Sequence, residues 1–490
     1  MSTLFYTAPA RPPGAISRAL GRTPRRLMML GAALEATVAV FVAVLVSGMS
    51  GADRGMAAIS AKAAEAKTAD DLYLRLTDMD AQAADALLVG YHPTGSVPRE
   101  VGAAADMQTY DSERSAADAD LQLIGLDPAL AAKVRSLLDA LGGYESLIGQ
   151  ALYIDQNTNA ERPAAPPRDA LGLYEQATAS LHTDILATAA QIRDEDDRDV
   201  DDQYALAGDA ELGDGVLIVI AGLFLIVLIA AANLFLSRRF RRTVGPALAL
   251  AALVVAALTA SALADLLHAG SESTVAKRNA FDSVSALTNA EAVSYDANAD
   301  ESKWLLDGFG TYQADFFADV DQIAHTYALD AGTAAQDPAS YYSALEAATT
   351  RLTLDGAQNT VSHVELGGYL GDELGNVTFD GEARAAFDAA DAFNSYLQID
   401  STIRGDANSG DLTTAVNVDI GLAPGDSNYS FGQYINAMRH VVDINQTAFT
   451  AAIADGETGL AVWNWLPYAA GAVLLGLVAA ALYPRLREYR

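Results

Sequence analysis

Two places in this sequence put titratable groups where they can do chemistry. Glu35 lies inside the otherwise apolar run Leu27–Met49. A carboxyl at bilayer depth is costly and ordinarily faces a partner or a cavity. Glu35 is therefore expected to be protonated and hydrogen-bonded among neighbouring spans; the alternative is that it biases span packing or titrates during signalling. The other place is the run Asp194-Glu-Asp-Asp-Arg-Asp-Val-Asp-Asp202. Calcium wants clustered carboxylates, but an EF-hand loop needs a glycine and alternate spacing that this run lacks. It reads instead as the solvated face of a helix leading into the second apolar run.

No catalytic constellation appears elsewhere. There is no Walker A loop, no GxGxxG after a strand, no GxSxG elbow and no HExxH. The six histidines, His92, His182, His268, His325, His363 and His440, are scattered. His363 and Glu365 stand two apart on an expected loop, which is a weak metal signal. The chain has no cysteine, so disulfides and thiolate metal sites are excluded. The expectation is a protein that is not an enzyme and carries no cofactor.

The elements that must position any site follow from hydropathy. Hydrophobic residues make up 51% of the chain although its net charge is −32, a combination that suits apolar spans joined to acidic polar domains. Four runs are long enough to cross a bilayer, which takes about 20 helical residues. They are Leu27–Met49, Gly215–Leu236, Gly245–His268 and Trp463–Leu482. The first is too long for a signal-peptide core and lacks a good cleavage site, so it reads as an uncleaved anchor.

Arginine placement sets the orientation. Arg11, Arg18, Arg22, Arg25 and Arg26 precede the first span, Arg238, Arg239, Arg241 and Arg242 join the second to the third, and Arg485, Arg487 and Arg490 follow the fourth. All three groups fall on one side, the cytoplasm. The expected order is a cytoplasmic N-terminus at 1–26, a span at 27–49, an extracytoplasmic bundle at 50–214, and a span at 215–236. An Arg-rich loop at 237–244, a span at 245–268, a second bundle at 269–462, a span at 463–483 and a tail at 484–490 complete it. The expected fold is an all-α membrane protein with four transmembrane helices and two tandem extracytoplasmic four-helix-bundle-like domains. Its acidic exterior argues against nucleic acid as a partner.

An internal repeat supports the two-domain reading. Residues 78–90 align without gaps to 296–308, sharing an Asp, an Ala, a Leu-Leu pair and a Gly, and the same offset lays the first span on the third. In the first interval a stripe of Leu72, Leu76, Met79, Ala83 and Ala86 predicts a helix over 57–88. Further helices are expected over about 99–125, from Asp127-Pro128 to Thr158 with Pro128 at the first helical position, and from Arg168 onward. In the second interval Asp337-Pro338 opens a helix. Residues 353–381 are expected to form loop or a short hairpin, and 405–410 and 423–428 to form turns.

This layout resembles an actinobacterial family of four-pass proteins encoded beside a glutamine-type solute-binding lipoprotein and the soluble Ser/Thr protein kinase G. The resemblance covers the whole arrangement, with local wording at 69–84, at Leu171–Ala189 and at Asp194–Tyr204. It implies a relay of amino-acid availability from the lipoprotein outside to the kinase inside, and it carries over no individual binding residue. The cytoplasmic parts are too short to fold alone. Arg238, Arg239, Arg241 and Arg242 are then the candidate docking site for a kinase, with lipid headgroups of the bilayer as the other candidate partner. A direct small-molecule sensor and a non-signalling envelope scaffold or assembly factor are the other readings.

Overall fold

The computed structural model describes residues 23–90, 103–158, 166–240, 245–308, 310, 312–330 and 332–487. It is all-α, with 87% of the described residues helical. The first half holds α1 (Thr23–Val89), α2 (Ala103–Ile124), α3 (Ala131–Asn157) and α4 (Arg168–Ser180), with a π-helical stretch Leu181–Leu186 passing into α5 (Ala187–Phe240). The second half opens with α6 (Pro246–Thr274), a second π-helical stretch Val275–Phe281, α7 (Asp282–Leu306) and α8 (Tyr312–Ile323). Strand β1 (His325–Thr326), α9 (Thr333–Gln336), α10 (Pro338–Arg351), β2 (Thr353–Asp355), β3 (Thr360–Ser362) and β4 (Leu366–Gly367) follow. The chain ends with α11 (Gly368–Gly375), α12 (Glu382–Ser409), α13 (Leu412–Asp419), α14 (Ser427–Ala461), a 3₁₀ turn Val462–Asn464 and α15 (Leu466–Arg487).

Packing divides the chain into two compact units. The described residues within Met1–Ala58, Gln203–Ser273 and Ile453–Arg490 form a span unit, and those within Ile59–Asp202 and Thr274–Ala452 form a polar unit. In the span unit Leu34, Val38, Phe41 and Leu45 of α1 pack with Ile218, Leu225 and Ile229 of α5, Val255 of α6, and Leu474 and Val478 of α15. Small residues bring these helices together. A Cβ at Gly222 would stand 2.2 Å from Thr259 Oγ1, and one at Gly471 would stand 2.9 Å from Val42 Cγ2. Large apolar side chains, Leu223, Phe224, Val227, Leu253 and Val473, also stand exposed on the outside of the unit. Four helices of this length and composition are compatible with a multi-pass membrane protein.

The polar unit contains two cores. One joins Leu72, Leu76 and Met79 of α1 to Leu137, Leu141 and Tyr144 of α3 and to Tyr174, Leu181 and Ile185. Trp304, Leu305 and Leu306 of α7, with Ile403 of α12 and Val416 and Ile420 beyond it, complete that same core. The other joins Phe316, Phe317, Tyr341, Leu345, Phe393, Leu397, Tyr434 and Met438 of the second interval. Two tandem bundles were expected; both intervals fall within one compact unit, in which the end of α7 fills the first interval's core.

Several local expectations change with the structure. The helix expected from Pro128 starts at Ala131, since Asp127 accepts from the Ala129 N–H at 2.8 Å and holds a turn. Residues 405–409, expected as a turn, continue α12 and end on left-handed Gly410. The 353–381 segment does form a hairpin, β2 with β3, but it also contains helix α11. Asp337 caps α10 with Pro338 at its first turn, as its sequence indicates.

Candidate functional site: a polar cleft on a line of buried charge

Helix α7 is buried on nearly every side yet carries Glu291, Asp296, Asn298, Asp300, Glu301, Ser302 and Lys303. Buried charge survives only when paired and hydrogen-bonded. Lys303 Nζ lies 2.9 Å from Asp80 Oδ2 of α1 and 3.1 Å from Asp300 Oδ1. Asp80 also accepts from Tyr144 OH of α3 at 3.1 Å and from Thr178 Oγ1 of α4 at 2.8 Å. Burial alone would raise Asp80, but the Lys303 charge and these donors hold it below the usual carboxylate value. Burial alone would lower Lys303, and Asp80 and Asp300 more than reverse it.

One turn further along α1, Asp85 receives Ser302 Oγ–H at 2.7 Å and Asn428 Nδ2–H at 2.9 Å. Ser302 Oγ also lies 3.0 Å from Asp419 Oδ2. A hydroxyl has one hydrogen, so one of these carboxyls keeps its proton and donates it to Ser302. Asp419 fits that role: burial first, then the charge of Asp85, pushes it well above the carboxylate range. Asn428 Oδ1 in turn accepts from Asn298 at 3.5 Å.

Above Asp85 a cleft of about 400 Å³ opens between α1, α2, α7 and α14. Asp85, Asp106, Asn298, Asn428, Tyr295 and Phe431 line it, with Arg439 at its edge. Asp106 is buried, and its Oδ2 accepts no hydrogen bond among the described residues. Burial, with the charge of Asp85 behind it, pushes Asp106 up to about 8. The rings of Tyr295 and Phe431 meet edge to face at 5.1 Å. Arg439 is neutralised by Glu291, with Nε 2.7 Å from Oε1. A second cavity of about 490 Å³ is bounded by Lys62, Glu65, Asp196, Leu123, Leu126 and Pro128.

Both π-helical stretches carry a basic side chain across to the other interval. His182 Nε2 lies 3.6 Å from Asp296, and Lys277 Nζ lies 2.6 Å from Asp201. Such stretches reset the helix face and recur at functional sites.

The residues singled out from sequence are placed as follows. Glu35 is exposed on α1, outside the buried stripe Leu34, Val38, Phe41 and Leu45 of that helix, and makes no side-chain hydrogen bond among the described residues. Arg238 is exposed near the end of α5. Arg239 lies in α5 with its side chain outside the described residues, as are Arg241 and Arg242 altogether. The acidic run is not simply a solvated face: Lys62 reaches Asp199 at 2.9 Å, Ser285 donates to Asp197 at 3.4 Å, and Asp196 is buried. His363 and Glu365 are both exposed, and Glu365 pairs with Arg351. Asp265 accepts from Trp463 Nε1 at 2.7 Å. Among the described residues no group of three or more His, Asp or Glu is placed to hold a metal ion. Asp80, Asp85, Asp106 and Lys303 were not singled out from sequence. No local signal marked them, because a helix with polar residues on every face, as over 282–306, reads from sequence as solvated.

Comparison with known proteins adds one finding. A family model described as an actinobacterial sensor domain matches residues 55–205, which include α1 from Gly55 and all of α2, α3 and α4. The match supports an actinobacterial sensor protein and a sensing or signalling role. No curated protein and no solved structure matches the chain.

Proposed function

We propose that this chain is a transmembrane sensor whose polar unit lies outside the cytoplasm and whose spans pass the signal inward. The carrying observation is α1, one unbroken helix from Thr23 to Val89 that bears both an apolar span and the buried Asp80 and Asp85. A change in how α1 and α7 pack acts on the same helix that carries the first apolar run. Only a ligand or partner with different affinities for two packings can drive such a change.

Three features support the reading of the chain as a duplication. Aligned Gly90 and Gly308 both end their helices in the left-handed conformation, at φ 72° and 70°. Asp80 contacts Lys303, the counterpart of Asp85, and Asp85 is joined through Asn428 to Asn298, the counterpart of Asp80. Such reciprocal contacts characterise a two-fold interface. In this reading one chain achieves what a two-span sensor achieves as a dimer.

The cue is amino-acid availability, presented by a solute-binding lipoprotein and relayed to a cytoplasmic Ser/Thr kinase through the arginine loop. The four-pass layout and the sensor-domain match support this reading. No catalytic step is assigned to the chain. Direct sensing of a small molecule is the second reading, and the cleft beside Asp85 favours it. In-cell crosslinking of the tagged chain followed by mass spectrometry tests the relay. Recovery of a solute-binding lipoprotein together with a Ser/Thr kinase supports it; recovery of envelope-assembly proteins alone overturns it.

A further inference from the structure

The cleft between α1, α2, α7 and α14 has a chemistry of its own. Two carboxyl groups, Asp85 and Asp106, line it from neighbouring helices, and the one cation at its edge, Arg439, already engages Glu291 and Tyr295. Asp85 is satisfied by Ser302 and Asn428, and its charge bears on Asp106. Asp106 is 9% exposed and has an oxygen with no donor among the described residues. A buried carboxyl oxygen without a donor bears the full desolvation penalty of that group, and native proteins rarely keep one without a use. Beside the carboxyls stand the amide of Asn298 and the aromatic edge formed by Tyr295 and Phe431.

We propose that this cleft is a binding site for a small organic amine, whose protonated primary ammonium group is held by Asp106 and Asp85 while its carbon chain lies against Phe431. The ammonium donors supply what Asp106 Oδ2 lacks, and the positive charge relieves the repulsion between the two acids. Aromatic faces favour such a cation and its methylenes. A volume of about 400 Å³ admits a molecule of that size and lies within the usual range for ligand pockets. An anionic ligand is disfavoured by the charge of Asp85. A bare divalent cation is disfavoured because it needs six or more oxygens, and the cleft residues offer no cluster of three acids or histidines.

This inference rests on the sensor reading for its biological meaning but not for its test. Full-length chain in nanodiscs is titrated by calorimetry with putrescine, lysine, glutamate and calcium chloride. Putrescine and lysine are expected to bind, glutamate not to bind, and Asp106→Asn to weaken putrescine at least ten-fold while leaving the thermal midpoint unchanged or raised. Phe431→Leu is expected to weaken putrescine several-fold. No heat with either amine, an affinity unchanged in Asp106→Asn, or a response to calcium chloride alone would overturn the assignment. A chain that binds putrescine but recovers no kinase on crosslinking would leave the amine site standing and remove the relay.

Discussion

Lys303 of α7 and Asp80 of α1 form an ion pair at 2.9 Å in which both side chains are essentially inaccessible to water, 1% and 0% exposed. It joins the two intervals of the chain, and the hydroxyls of Tyr144 and Thr178 complete the coordination of its carboxylate. Breaking such a pair from one side strands a buried charge, whereas replacing both partners with apolar groups is often neutral.

Lys303→Met alone is therefore expected to destabilise the polar unit by about 3–5 kcal/mol. The double variant Asp80→Leu/Lys303→Met should recover a substantial part of that loss. Chemical denaturation of the purified full-length chain measures both. Equal losses in the single and double variants would show that the pair is not coupled.

Stability should fall as pH rises from mildly acidic to mildly alkaline. Burial raises Asp78 to about 7, Asp106 to about 8 and Asp319 to about 8 in the folded chain. In the unfolded chain each titrates near about 3.9. Between those values the folded state holds more protons, so their stabilisation is complete below about pH 4 and is lost as pH climbs through about 7–8. Asp80 works in the opposite sense but only at the acid extreme, because its folded value lies below the ordinary one. A thermal midpoint higher at pH 5.5 than at pH 8.5 is the expected result.

Gly368 joins β4 to α11 at φ 71°, and a Cβ there would stand 2.4 Å from the Gln322 carbonyl oxygen. Gly368→Ala should cost roughly 1–3 kcal/mol from the backbone conformation alone, with the clash added. Gly425, at φ 101° with nothing within 4 Å of its Cβ position, supplies the control. Thermal unfolding should show the larger loss at Gly368.

Because Glu35 faces outward from the span unit, Glu35→Ala should change the stability of the detergent-solubilised chain by no more than about 0.5 kcal/mol. A large loss would place the carboxyl in an internal hydrogen bond after all.

The absence of cysteine makes topology directly testable. Ser115→Cys and Ser237→Cys, on α2 and near the end of α5, should react with a membrane-impermeant maleimide from opposite sides of the membrane. Labelling from the same side would overturn the assigned orientation.

Run length and periodicity carry a great deal here. Four apolar runs of about 20 residues need no tertiary information to be read as spans, because backbone hydrogen bonding in lipid leaves helix as the choice for such a run. The stripe through Leu72, Leu76 and Met79 likewise marks the buried face of α1. Asp-Pro at 337–338 announced a cap, and the Gly, Asn and Thr of 353–381 a loop or short hairpin, since these residues act through local geometry. What could not be read locally is the rotation of each helix about its own axis and the identity of its neighbours. Depth in the bilayer follows from position along a run, so Glu35 was conspicuous; whether it points inward depends on how four helices pack, and it points outward. Asp80 and Lys303 lie 223 positions apart and look like ordinary polar residues on a helix. Only when α7 is enclosed by α1, α3 and α4 do they lose water and become a pair, because desolvation is a property of the assembled core and not of any segment within it.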